Sequence, residues 1–157
     1  TLFRSQHILD LVTCQESGPA LLTAITALVN SLLRGNCNPA VAPILFGGQL
    51  MALEKKSGGI RPIAIGYTWG RIAAKCANAH ATAVLAGYLQ PLQLGVGTPG
   101  GCEAAVHATR RFAESMPDGH CVVKLDFTNA FNSLHRDAML RSQLQLTPGI
   151  YHLCHLA

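Results

Sequence analysis

Leu21, Leu22, Ile25, Leu28, Val29, Leu32 and Leu33 recur at helical spacing, which predicts a helix over Pro19 to Leu33. Pro19 suits its first turn, and Gly35, just after Arg34, supplies a stop. Asn36 to Pro43 reads as a loop. The runs Leu50 to Lys56 and Ile60 to Ile65 read as short strands joined by the turn Ser57-Gly58-Gly59. An alanine-rich helix is predicted from Thr68, a residue type that caps helix starts, to about Leu89. Gln90 to Gly101 then forms a loop holding Gly95, Gly97, Pro99, Gly100 and Gly101. Glu103 to Met116 reads as a helix stopped by Pro117-Asp118-Gly119. Cys121 to Phe127 reads as a strand buried on both faces, and Asn129 to Leu134 as a turn or short helix. A helix over about Arg136 to Leu144 follows, and Pro148 opens another. The mixture predicts one layer-packed α+β unit without internal repeats.

Composition narrows the class. Apolar residues make up 49% of the 157 positions and charged ones 13%, so the chain can build a core and is not a disordered tail. So low a charge fraction suits a piece covered by other protein. The chain opens on Thr1 and stops within the apolar run Ile150 to Ala157, which predicts a segment of something longer. No apolar run is long enough to span a membrane, and no signal peptide is visible. The six cysteines form no CxxC pair, so they read as reduced, mostly buried thiols of an intracellular protein. His152, Cys154 and His155 crowd together, but their spacing lacks the second half of a zinc pattern.

Charge distribution says more than the net charge of +4. Between Lys55 and Cys102 lie Lys55, Lys56, Arg61, Arg71 and Lys75, with no acidic residue among them. Positive charge focused in this way attracts phosphates. Lys55, Lys56 and Arg61 flank the glycine turn, where a ribbon can lay cations over a polyanion and arginine can grip phosphate with two donors. A solvated surface turn is the plainer reading. The glycine-rich loop from Gly95 to Gly101 lacks the Gly-Lys-Ser/Thr ending of a phosphate loop, and Pro99 removes a backbone donor. It is better read as a tight connection into the next helix.

The strongest chemical signal is Asp126, a single carboxylate closing the run Val122-Val123-Lys124-Leu125. A carboxylate at the end of a buried strand needs a cation beside it. Lys124 lies on the same strand face and could form a plain ion pair; a metal ion is the other partner.

The order of these pieces is informative. Leu53-Glu54-Lys55-Lys56-Ser57-Gly58-Gly59-Ile60-Arg61-Pro62-Ile63-Ala64-Ile65-Gly66 resembles the fingers hairpin of reverse transcriptases encoded by non-long-terminal-repeat (LINE-type) retrotransposons. The block from Gln93 to His107 resembles the segment that follows it in those enzymes, and Lys124-Leu125-Asp126-Phe127-Thr128-Asn129-Ala130-Phe131-Asn132 resembles their first palm motif. The resemblance covers roughly Pro19 to Leu144 in the family's order. It implies one partial reverse transcriptase domain over residues 1–157, with fingers and the start of the palm to about residue 115 and palm from 116 to 157.

On that resemblance, Asp126 is one of the palm carboxylates that hold two divalent ions, Mg2+ or Mn2+, with the backbone carbonyl of Phe127 as a further ligand. Arg61, with Lys55 or Lys56, holds the triphosphate of the incoming nucleotide. Phe131 stands where such polymerases place an aromatic against the sugar, excluding a 2′-hydroxyl by its bulk. The plainer reading of Phe131 is a core aromatic. Gly95, Gly97, Arg110 and Arg111 would lie along the template path. The implied partners are an RNA template, a DNA primer, a deoxynucleoside triphosphate and the rest of the parent's palm, thumb and any endonuclease domain. The implied location is nuclear during the element's cycle.

One departure matters. Family members carry a second motif, Phe/Tyr-Ala-Asp-Asp, that supplies the other metal-binding carboxylates, and this sequence does not contain it. Asp137 sits beside Arg136 and four residues before Arg141, which fits a helix-surface pair, and Asp118 lies in a turn. One carboxylate cannot assemble a two-metal centre, so the chain by itself is expected to be inactive. The alternatives are a non-catalytic remnant that binds nucleic acid and an intron-type maturase, the latter disfavoured by the Gln93–His107 block.

Overall fold

Helical periodicity builds the amino-terminal region. The computed structural model describes residues 4–56, 58–128 and 130–157, without the side chains of Phe131 and Asn132. Helix α1 (Ser5–Val12) packs on α2 (Gly18–Leu33), and a short α3 (Ala42–Phe46) follows. Helix α2 has Pro in its first turn and turns its Gly18, Leu21, Ile25, Val29 and Leu32 face inward. Leu32 is only 2% exposed, whereas Leu22, in the first half of the helix, is 55% exposed. The buried stripe thus takes only part of the leucines that define the helix in sequence. Helix α3 falls in and beyond the expected Asn36–Pro43 loop, with Pro43 in its first turn.

Strands β1 (Gly48–Glu54) and β2 (Ile60–Gly66) form an antiparallel hairpin, the one sheet among the described residues. Gly58 and Gly59 take φ of 83° and 89°, a left-handed region that most side chains avoid, so the paired glycines permit the reversal. Ser57, the first residue of the expected turn, lies outside the described residues.

Helix α4 (Thr68–Leu89) is the longest and lies within one residue of its expected start, since the Arg71 amide already donates to the Tyr67 carbonyl at 3.0 Å. Its buried positions Ala73, Ala77 and Ala81 recur every four residues. Helix α5 (Gly101–Glu114), a 3₁₀ turn (Ala130–Ser133), α6 (Arg136–Leu146), a second 3₁₀ turn (Pro148–Ile150) and α7 (Tyr151–Leu156) complete the chain. The architecture is α+β.

The chain divides into two compact units, Thr1–Asn78 with Pro148–Ala157, and Ala79–Thr147. In the first, Ile8, Val29, Leu32, Ala42, Ile150 and Leu153 are buried, and α7 returns to pack against α2. In the second, the loop before α5 is braced locally: Gln90 Nε2 donates to Thr98 Oγ1 at 3.0 Å and the Gly95 amide to Gln93 Oε1 at 2.7 Å.

Two expectations are corrected. Residues 121–127 carry no regular secondary structure, and Val123, Leu125 and Phe127 are 69%, 76% and 75% exposed. Apolar composition favours a strand there, but no neighbouring strand among the described residues supplies the ladder bonds that would define one. The cysteines are also not buried: Cys14, Cys76, Cys102 and Cys121 are exposed and Cys37 and Cys154 half-buried, with no disulfide among them. Cys76 illustrates the reason, lying one residue off the buried Ala73–Ala77 stripe of α4.

The uneven burial along α2 gives a direct test. Leu32→Ala is expected to cost about 2–5 kcal/mol, as large-to-small core changes do, and Leu22→Ala less than about 1 kcal/mol. Equal shifts of the two variants in urea unfolding would mean that the two leucines are not buried to the different extents described.

Candidate nucleic-acid interface

The register of the hairpin arranges its charges. Leu53 pairs with Arg61, Met51 with Ile63 and Gln49 with Ile65, while Glu54 pairs with Ile60 and Ala52 with Pro62. Side chains alternate between faces, so Arg61 shares a face with Met51, Leu53, Ile63 and Ile65, and Glu54 points to the other. Just beyond β1, the Lys55 amide donates to the Gly59 carbonyl at 3.0 Å, and the Gly58 amide donates to the Lys55 carbonyl at 2.9 Å. These bonds carry the same register one pair further. Lys55 therefore falls on the Arg61 face as its diagonal neighbour, typically about 7–8 Å away, and Lys56 falls off it.

This face is cationic at its tip and apolar along its body. Lys55, Lys56 and Arg61 are exposed, and Met51, Leu53 and Ile65 stay 43% to 46% exposed. The combination can hold phosphate with its cations and offer apolar surface to a base or sugar. Sequence spacing left the choice between the two lysines open; the register distinguishes them.

The other expected site residues are dispersed. Gly97 sits at φ 71°, and a Cβ there would lie 2.9 Å from Ala86 Cβ and 3.2 Å from the Thr82 carbonyl of α4. That close approach gives Gly97 a packing role, and Gly95 answers to the Gln93 side chain. Arg110 and Arg111 are exposed on α5. Asp126 and Phe127 lie in the irregular segment before the first 3₁₀ turn, both exposed, and Lys124 and Asp126 form no ion pair among the described residues. Phe131 lies within the turn, and its side chain is outside the described set. Arg141 Nε donates to the Asp137 backbone carbonyl at 3.3 Å, so the link is made to the main chain rather than to the carboxylate.

The donors present do not fit a two-metal centre. Among the described residues no three His, Cys, Asp or Glu side chains come together, and Asp126 contributes one carboxylate. His152, Cys154 and His155 also form no such group; the Tyr151 and His155 rings stack at 5.9 Å. Among the described residues no helix is long and apolar enough to cross a membrane.

The sequence reading gave Cys14 no role. It lies in the turn between α1 and α2, where the Ser17 amide, the Ser17 hydroxyl and the Glu16 amide, in that order of effect, stabilise the thiolate. Its pKa falls from about 9 to about 7. No spacing rule signals this, because it depends on how the turn aims donors at the sulfur. Because the thiol is more acidic in the folded chain, ionisation there favours the folded turn as pH rises from 7 towards 9. At pH 7 roughly half of Cys14 is thiolate. Iodoacetamide footprinting is expected to label Cys14 ahead of the other exposed cysteines, with a half-point near pH 7; labelling in step with Cys76 and Cys121 would contradict that turn geometry.

No protein-family model, curated protein or solved structure matches this chain.

Proposed function

We propose that this chain is the fingers and first palm segment of a reverse transcriptase of the non-long-terminal-repeat retrotransposon type. Its own residues bind template and incoming nucleotide in RNA-directed DNA synthesis. The observation that carries the reading is the hairpin: its register aligns Lys55 with Arg61 on an exposed face whose described strand positions hold no carboxylate. On this reading Arg61 grips phosphate oxygens with paired donors and Lys55 adds a mobile point charge. Gly58 and Gly59 keep the tip slim enough to approach a nucleotide. The apolar body of the same face would lie against the base or sugar.

Asp126 enters this reading as a carboxylate that needs others to complete a metal centre. Exposure of Asp126 and of the apolar side chains around it suits a segment covered by further palm structure. Phe131, at the 3₁₀ turn that follows, is the proposed sugar-excluding residue. Asp126 alone would not hold Mg2+ or Mn2+; together with those carboxylates it would help to hold such ions, which supply Lewis-acid chemistry to a phosphoryl transfer.

The second reading, a nucleic-acid-binding remnant without catalysis, is favoured by the same lack of clustered metal ligands among the described residues. Both readings require the hairpin to bind, and catalysis separates them.

Fluorescence anisotropy with a labelled RNA–DNA primer–template tests the shared part. Affinity is expected to fall steeply with salt, the logarithmic slope counting the few phosphates engaged. The Lys55→Gln/Arg61→Gln variant is expected to weaken binding roughly tenfold or more, and Lys56→Gln much less. Binding that ignores salt, or equal losses from Lys55→Gln and Lys56→Gln, would refute the assigned face. For the catalytic part, the chain is joined in frame to a segment bearing the Phe/Tyr-Ala-Asp-Asp motif. Asp126→Ala is expected to abolish primer extension while sparing template binding, and Phe131→Ala to admit ribonucleotides; extension that survives Asp126→Ala would refute the role given to that carboxylate, and a joined chain that binds but never extends would leave the remnant reading.

A further inference from the structure

A second cationic site lies at the base of the hairpin, at the opposite end from Lys55 and the glycine turn. An open cleft of about 930 Å³ is bounded there by the start of α1, by α3, by the base of β1 and β2, and by the start of α4. All of its lining belongs to the first compact unit. Arg4 and Arg71 both line it, from positions far apart in the chain, and no Asp or Glu is among the lining residues described. Neither guanidinium forms an ion pair with a carboxylate among the described residues. The Arg71 stem is seated by Gly66, its Cγ lying 3.7 Å from where a Cβ at that glycine would stand.

The remaining lining is of mixed character. Ser5 and Gln49 offer hydrogen-bonding groups, and Tyr67 is 55% exposed. The volume is within the range of small-ligand clefts, roughly 300–1,000 Å³. Two arginines without a competing carboxylate select an anion, and their planar forks match phosphate oxygens. An exposed tyrosine beside them adds a face on which a base can stack. The positive end of the α4 dipole reinforces the same preference.

We propose that this cleft binds a nucleotide unit, its phosphate held by Arg4 and Arg71 and its base against Tyr67, at a site distinct from the hairpin tip. The phosphate belongs either to a free nucleotide or to the backbone of a single strand. The site does not require the chain to be a polymerase fragment.

Trp69, the one tryptophan of the chain, lies two residues from Tyr67 and serves as the reporter. The full chain is titrated in low salt with pyrophosphate, uridine monophosphate and a short oligouridylate while its fluorescence is followed. A saturable change is expected with at least one of these. Arg4→Gln and Arg71→Gln should each weaken it roughly tenfold, and Arg71→Lys less, as charged hydrogen bonds of this kind are lost. Lys55→Gln/Arg61→Gln should leave it unchanged, which separates this site from the hairpin reading. Response to pyrophosphate or the mononucleotide supports a free-nucleotide site, and response to the oligouridylate alone supports a backbone-phosphate site. Circular dichroism identifies any variant that has lost its helices; if Arg71→Gln does, Arg4→Gln and Arg71→Lys carry the test. No saturable response to any probe overturns the proposal. So does a response that the folded Arg4 and Arg71 variants leave intact, or one lost with Lys55 and Arg61.

Discussion

A backbone amide or carbonyl in an extended segment must find a partner, and that constraint governs both apolar strand-like runs of this chain in opposite ways. In the hairpin, β1 and β2 satisfy each other from Glu54–Ile60 back to Gly48–Gly66, and a turn of two left-handed glycines allows the chain to reverse. Residues 121–127 have equally strand-like composition but no pairing among the described residues, and their apolar side chains stand exposed. The same demand therefore yields an ordered, charge-bearing ribbon in one place and an irregular segment in the other. What differs is the neighbourhood.

The hairpin's register has consequences for chemistry. Since one step along a strand moves a side chain to the opposite face, pairing decides which charges can act together. Arg61 and Lys55 fall on one side, Glu54 on the other. A one-residue slip would set Arg61 beside Glu54, where the carboxylate would compete for the guanidinium. At the base of the same ribbon, Arg4 and Arg71 line one cleft. Cations thus occur at both ends of the hairpin, and each end carries an exposed apolar or aromatic surface next to them. That pairing of charge with apolar surface suits nucleotides better than small inorganic anions.

Burial in the first unit is carried by a few aliphatic positions from α1, α2 and α7, while α4 contributes small residues at four-residue intervals. Small side chains bring backbones close, and the glycines show it: a Cβ at Gly70 would lie 2.5 Å from the Leu45 carbonyl. In the second unit, Gly97 meets the α4 backbone in the same manner. Gly97 is therefore accounted for by packing, whereas Gly100, at φ 65° with open space around it, answers to backbone conformation alone.

The sequence by itself determined the helices α2, α4, α5 and α6, the hairpin with its turn, and the concentration of cations between Lys55 and Lys75. Those features follow from local periodicity, from glycine and proline, and from charge order, all of which act within a few residues. Tertiary structure alone decided which leucines of α2 are buried, which lysine accompanies Arg61, that Arg4 and Arg71 line one cleft, and that Cys14 faces the Ser17 donors. It also left residues 121–127 without a partner strand among the described residues. Each of those outcomes depends on groups brought together by pairing, packing or a turn's three-dimensional path, and composition and spacing along the chain do not encode them.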